Sequence, residues 1–233
     1  MADGHYRTAE RVAARLLGDG RATGVVLHGS VAQNAHRPAS DVDLVAIGPT
    51  SVGFEILEVN GLRIELITRT FDGWLEAFAR EVPAWAYAWT DGVVLVQSGR
   101  NAESLVAAGT RALQSYRPRR SSLVEHVEFW EHVRPKLAEA ASRGDDTEIG
   151  YSMGLSMQRL VESLFLMNDV VPSPVSNMRT FDRLLHLPAP ERLDARLRTM
   201  LTHPDVRTRA QEKLILIDDL VEAIRAKLDR RPD

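Results

Sequence analysis

Residues 27–47 read LHGSVAQNAHRPASDVDLVAI and hold two features that can do chemistry together. The first is Gly29-Ser30 at the end of an apolar run. A glycine there lets a ligand approach the backbone closely, and Ser30 is a good N-cap for a helix starting at that point. Free backbone N–H groups at a helix start attract anions. The second is Asp41-Val42-Asp43. Side chains alternate along a strand, so both carboxylates share a face while Val42 and Leu44 point the other way. Two carboxylates one strand step apart repel each other. They are tolerable when they share a hard divalent cation, and Mg²⁺ takes oxygen ligands together with substrate phosphates. A third acid, Glu65, lies between Ile64 and Leu66 and faces away from both. Gly-Ser alone is usually a turn, and Asp-x-Asp alone is usually a solvated strand edge. As a set they read as a phosphate cradle beside a two-metal site.

The elements that must position these residues follow from pattern. Ala9, Val12, Ala13 and Leu16 fall on one face of a helix over 6–17, stopped by Gly18 and Gly20. GVVLH (24–28) and DVDLVAI (41–47) read as strands, with a short helix over 30–35 between them that Asn34 ends in the left-handed conformation. FEILEV and LRIELIT flank Asn60-Gly61, the dipeptide that a type I′ hairpin turn favours. A helix over 71–80, a strand over 92–97 and a helix over 101–113 complete this half. The alternation in Trp85, Tyr87 and Trp89 suggests either a stacking face or a packing surface. Beyond YRPRRS (116–121) nearly everything reads as helix, over 121–141, 147–167, 177–187, 189–201 and 206–228. The expectation is an α+β protein. A small mixed sheet with flanking helices occupies 1–116, and an all-α helical bundle occupies 117–233.

Leu27-His28-Gly29-Ser30, Asp41-Val42-Asp43-Leu44 and Ile64-Glu65-Leu66 together resemble the nucleotidyltransferase superfamily that includes DNA polymerase β. The small sheet domain followed by a bundle is similar to the antibiotic nucleotidyltransferases, such as those that adenylylate kanamycin and streptomycin. The resemblance implies transfer of a nucleoside monophosphate, AMP from ATP being the expected case, to an acceptor hydroxyl with release of pyrophosphate. It assigns Gly29 and Ser30 to the phosphates, and Asp41, Asp43 and Glu65 to catalysis and to two Mg²⁺ ions. It also suggests a basic residue after the bundle's proline-containing linker, for which Arg179 is the candidate, with Lys136 and Lys213 as other options. The general base is Glu65 or a bundle acid, Glu162. Two departures stand out. Ala32-Gln33-Asn34 occupies a place where relatives often carry Ala-Arg-Gly, and Glu65 stands where many carry Asp.

Composition bounds the partners. The 233 residues are 44% hydrophobic and 26% charged, with net charge −3, which gives no basic footprint for nucleic acid. Residues 1–115 hold 10 Arg, no Lys and 13 acids, which suits a cationic, aminoglycoside-like acceptor in the sheet half. The absence of cysteine excludes disulfides and thiolate metal sites. With no apolar run of membrane length and no signal-peptide core, the expected location is the cytoplasm, without a membrane partner. A homodimer in which one bundle completes the partner's cleft fits such a layout. Two alternatives remain at this level: nucleotidyl modification of a protein or RNA, as in toxin–antitoxin pairs, and a non-catalytic nucleotide-binding protein.

Overall fold

A computed structural model describes residues 4–50, 53–81, 85–173 and 179–230. The chain forms two compact units, residues 1–116 and 117–233. The first is a five-stranded mixed sheet with helices on both faces; the second is helical.

In the first unit, α1 (Gly4–Gly18) leads into β1 (Gly24–His28), a four-residue helical turn α2 (Gly29–Ala32) and β2 (Val42–Ile47). The hairpin β3 (Gly53–Val59) and β4 (Leu62–Arg69) follows. Asn60 and Gly61 take φ of 54° and 73°, and Val59 pairs with Leu62, as the Asn-Gly signal requires. Next come α3 (Phe71–Glu76), continued by a π-helical turn (Ala77–Glu81), then α4 (Trp85–Thr90), β5 (Val93–Gln97) and α5 (Asn101–Gln114). Strand order is β3-β4-β2-β1-β5. Only β2 and β4 pair in parallel.

Alternation divides the strand residues between two cores. Val25, Leu27, Val42, Leu44, Ile64 and Leu66 pack with Ala9, Val12, Ala13 and Leu16 of α1. Val26, Val45 and Ile47 face the other way, onto Trp74, Phe78, Trp89 and Leu105. Each fully buried Leu, Val or Phe contributes about 1.5–3 kcal/mol. The aromatic alternation at 85–89 is helical: α4 buries Tyr87 and Trp89, and Trp89 meets Trp74 edge-on at 5.3 Å. The interleaved alanines are strong helix formers, so the period-two pattern is a coincidence of composition. This set is core packing, and Trp89 offers no stacking face.

The second unit contains α6 (Arg120–Arg143), α7 (Asp146–Leu155), α8 (Met157–Met167), α9 (Arg179–Leu185), α10 (Leu193–Thr202) and α11 (Val206–Asp229). The single helix expected over 147–167 is broken at Ser156. Lys213 of α11 is fully buried, and its Nζ donates to Met153 O (2.6 Å) and Ser156 Oγ (2.7 Å). It occupies a carbonyl that a continuous helix would bond to residue 157. The start expected for the next helix, at residue 177, lies outside the described residues. No helix among the described residues is long and apolar enough to cross a membrane.

Candidate active site

The sheet register aligns the predicted residues in rows. His28 of β1 pairs with Asp43 of β2, and Asp43 pairs with Glu65 of β4. Paired residues share a sheet face. His28, Asp43 and Glu65 therefore form one row across three strands, on the face that also carries Val26 and Val45. Asp41 precedes the first residue of β2 and lies close enough to Asp43 to raise its pKa.

Gly29 closes this row at the β1 end. Its φ is +70°, and a Cβ placed there would lie 2.1 Å from Asp43 Oδ2. Neither the conformation nor the space admits a side chain. The residue before it, His28, occupies the N-cap position of α2 in extended conformation, without a side-chain cap. Ser30 thus sits inside the first turn and is not its cap, and the helix is one turn long instead of spanning 30–35. The break comes early because Asn34 already holds φ of 55°, the left-handed conformation expected of it.

Electrostatics single out Asp43. Burial, then Asp41, then Glu65, push its carboxyl up to about 6. Its neighbour His28 cannot compensate: burial lowers His28 to about 4, so the imidazole is neutral at physiological pH. Glu65 has a cation of its own. Arg63, two residues earlier on the same strand face, donates from Nη2 to Glu65 Oε1 at 2.6 Å. The same-face parity of residues 63 and 65 was readable from the strand, but nothing in the strand alone marked Arg63 as the partner. His28 escaped the sequence reading because its role depends on pairing with β2.

The residues fit a hard cation in type and in register. Asp41 and Asp43 are oxygen donors crowded together without a positive charge between them, the situation a divalent ion relieves. As the side chains stand, Glu65 is turned to Arg63. Among the described residues, no three His, Cys, Asp or Glu side chains form a group that could hold a metal. A third ligand at Glu65 requires its carboxylate to leave Arg63.

The candidates in the helical unit are placed differently. Glu162 accepts from Gln158 Nε2 (3.0 Å) and Arg159 Nη1 (3.5 Å), both on its own helix. Arg179 is the exposed first residue of α9. Lys136 is exposed and contacts His132 at 2.7 Å. Lys213 is buried and committed to Met153 and Ser156, so it is not a surface cation that could meet a triphosphate. His126 is also internal: its Nδ1 lies 2.6 Å from Ser163 Oγ.

Residues 8–83 match the model of a family described as "Nucleotidyltransferase domain". That span holds Gly29, Ser30, Asp41, Asp43 and Glu65, and ends before Glu162 and Arg179. No curated protein matches the chain. Among solved structures, the chain is similar to a nucleotidyltransferase-like protein from Exiguobacterium sibiricum 255-15. The two share 13% identity at a TM-score of 0.47, with 98% of this chain and 81% of that one covered.

Proposed function

We propose that the protein is a divalent-metal-dependent nucleotidyltransferase that moves a nucleoside monophosphate from an NTP to a hydroxyl of a small molecule. The observation that carries this reading is the crowded row itself: Asp43, half-buried between Asp41 and Glu65, with Gly29 folded down against its carboxylate. A protein gains nothing in stability from such crowding, so the row is best explained by what it binds.

In this reading Asp41, Asp43 and Glu65 hold Mg²⁺, which supplies charge neutralisation and Lewis acidity at the transferred phosphorus. Gly29 lets the β- and γ-phosphates approach the backbone, where Ser30 and the first amides of α2 meet them. Arg63 orients Glu65 until a cation competes for it. Glu65 then serves as the proton acceptor for the attacking hydroxyl. Glu162, the other acid the resemblance suggested, lies outside the row that carries this reading. Unit 1–116 takes the nucleotide and the metal. ATP is the expected donor. An antibiotic is one class of acceptor that this reaction would serve.

Thermal unfolding with ATP, GTP, CTP or UTP, with and without Mg²⁺, tests the reading. A nucleotide at about 100 times its dissociation constant adds roughly 2.7 kcal/mol to stability. The expected result is a Mg²⁺-dependent shift that Asp41→Asn/Asp43→Asn abolishes. A shift that survives the double substitution would place nucleotide binding elsewhere.

A further inference from the structure

The Asp43–Glu65 row extends one strand further, to the sheet edge. Ile56 of β3 pairs with Glu65 of β4. The row therefore reads Ile56, Glu65, Asp43, His28 on a single face. One step along, Phe54 pairs with Ile67, which pairs with Val45. Phe54 and Ile56 are 58% and 53% exposed. Neither packs on the two core clusters of this unit, whereas Leu57 and Val59 of the same strand pack on the α1 side. Lone exposed apolar residues are ordinary on protein surfaces. Two at i, i+2 on an edge strand, one of them in line with the Glu65 and Asp43 carboxylates, are not scattered, and edge strands commonly carry charge at such positions.

The order along the row gives this pair a side in the reaction. Resting on the nucleotidyl-transfer reading, the leaving phosphates lie at Gly29 and Ser30, the β1 end. In-line displacement brings the attacking hydroxyl from the opposite side of the phosphorus, which is the β4–β3 end. Directly opposed side chains on neighbouring strands have Cβ atoms about 4.5–5.5 Å apart, so Ile56 borders the carboxylate that receives the hydroxyl. We propose that Ile56 and Phe54 form an apolar subsite for the acceptor, and that the acceptor is an amphipathic molecule carrying its reactive hydroxyl beside an apolar ring or chain. A uniformly polar polyol or polyamine would leave both side chains in water. The apolar contact adds binding energy remote from the reacting atoms, which is what selects one acceptor among many hydroxyl compounds.

The test uses the full chain, labelled with ¹³C at the isoleucine δ1 methyls, in Mg²⁺ and a non-hydrolysable ATP analogue. Two probes are compared: 4-phenyl-1,2-butanediol, which has a ring, and erythritol, which does not. The expected result is that the phenyl diol moves the Ile56 resonance, identified by its absence in Ile56→Thr. It should also bind at least about tenfold more tightly than erythritol. Phe54→Thr/Ile56→Thr, which keeps a strand-favouring residue at 56, should remove that preference while leaving the nucleotide-induced melting shift intact. Equal binding of the two probes, or a silent Ile56 methyl, would overturn the proposal. So would a change of sedimenting mass in the double variant, which would give this face to a second copy of the chain. Failure of the underlying reading has a different signature: no nucleotide shift in the wild type, or one that survives Asp41→Asn/Asp43→Asn. The ring preference at Ile56 is read independently of that result.

Discussion

Two polar clusters in this molecule, one buried and one half-buried, are built on opposite principles. In the helical unit, Ser163 Oγ donates to Arg159 O (2.7 Å) and accepts from Trp130 Nε1 (2.9 Å), with His126 Nδ1 at 2.6 Å. Its one proton and its lone pairs are all used, which assigns the His126 proton to Nδ1. In the sheet unit, desolvation and then the charges of Asp41 and Glu65 push the Asp43 carboxyl up to about 6, beside a neutral His28. The first cluster is complete, and completeness is the mark of a structural node. The second is incomplete by one or more positive charges, the deficit that the cation proposed for this site would fill. Buried polarity alone says little; what matters is whether the cluster closes on itself.

Substitutions can break this contrast. The largest expected effect is on function: Asp41→Asn/Asp43→Asn should lower nucleotidyl transfer by at least about 10³-fold, measured by label transfer from α-labelled ATP, because the metal carries most of the charge stabilisation. The same variant should unfold no more easily than the wild type when metal-free. Ser163→Ala should do the reverse. It strands Trp130 Nε1 and His126, costing about 2–3 kcal/mol in urea unfolding while leaving the Mg²⁺–nucleotide shift unchanged. A parallel loss of nucleotide binding would erase the distinction between the two clusters.

A third, smaller effect concerns pH. Asp43 is raised in the folded protein, so its contribution is present below its unfolded pKa near 3.8 and is lost as pH climbs through about 6. His28 and His126 are depressed to about 4, so they contribute above their unfolded value of 6.5 and lose that contribution as pH falls through about 4. Between pH 4 and 6 the two trends oppose each other, and the two histidines outweigh the one carboxylate, so the wild-type curve alone hides the contribution of Asp43. The difference between wild type and Asp43→Asn isolates the carboxylate. The variant should gain on the order of 1–2 kcal/mol relative to wild type from pH 4 to pH 7 without metal. Mg²⁺ should shrink that gap. The smallest effect belongs to Arg63→Met. An exposed pair of this kind is worth about 0–1 kcal/mol, so stability should barely move. Freed from its partner, Glu65 should bind Mg²⁺ a few-fold more tightly, as read by calorimetry with the nucleotide present.

What the sequence disclosed was local, and what it hid was non-local. The Asn60-Gly61 turn and the left-handed Asn34 each depend on a few adjacent residues, and each stands as read. Gly29 reads as room for a ligand, whereas the space beside it is taken by Asp43 of the next strand, a contact its neighbours in sequence do not reveal. The break at Ser156 depends on Lys213, 57 residues away, which no helical periodicity could announce. The row from Ile56 to His28 depends on which strands lie side by side and in what register. The motif supplied Asp43 and Glu65, but only the pairing supplied their order and exposed the apolar end. Of the two readings left open for Trp85, Tyr87 and Trp89, packing holds, and their spacing alone could not decide it because six residues do not separate a strand from a helix when alanine fills the gaps.

The strand order carries a consequence in time. All four strands of the row, β3, β4, β2 and β1, lie between residues 24 and 69, whereas the fifth joins late: Gly24 pairs with Gln97. Contacts close in sequence form faster than distant ones. The row's four strands therefore leave the ribosome before β5 and α5, and if they pair at once their self-repulsion has to be met by a half-finished domain. We expect Mg²⁺ to speed refolding from urea as well as to stabilise the product, with the acceleration absent in Asp41→Asn/Asp43→Asn. Equal refolding rates with and without Mg²⁺ would show that the row assembles only after the last strand has closed the sheet.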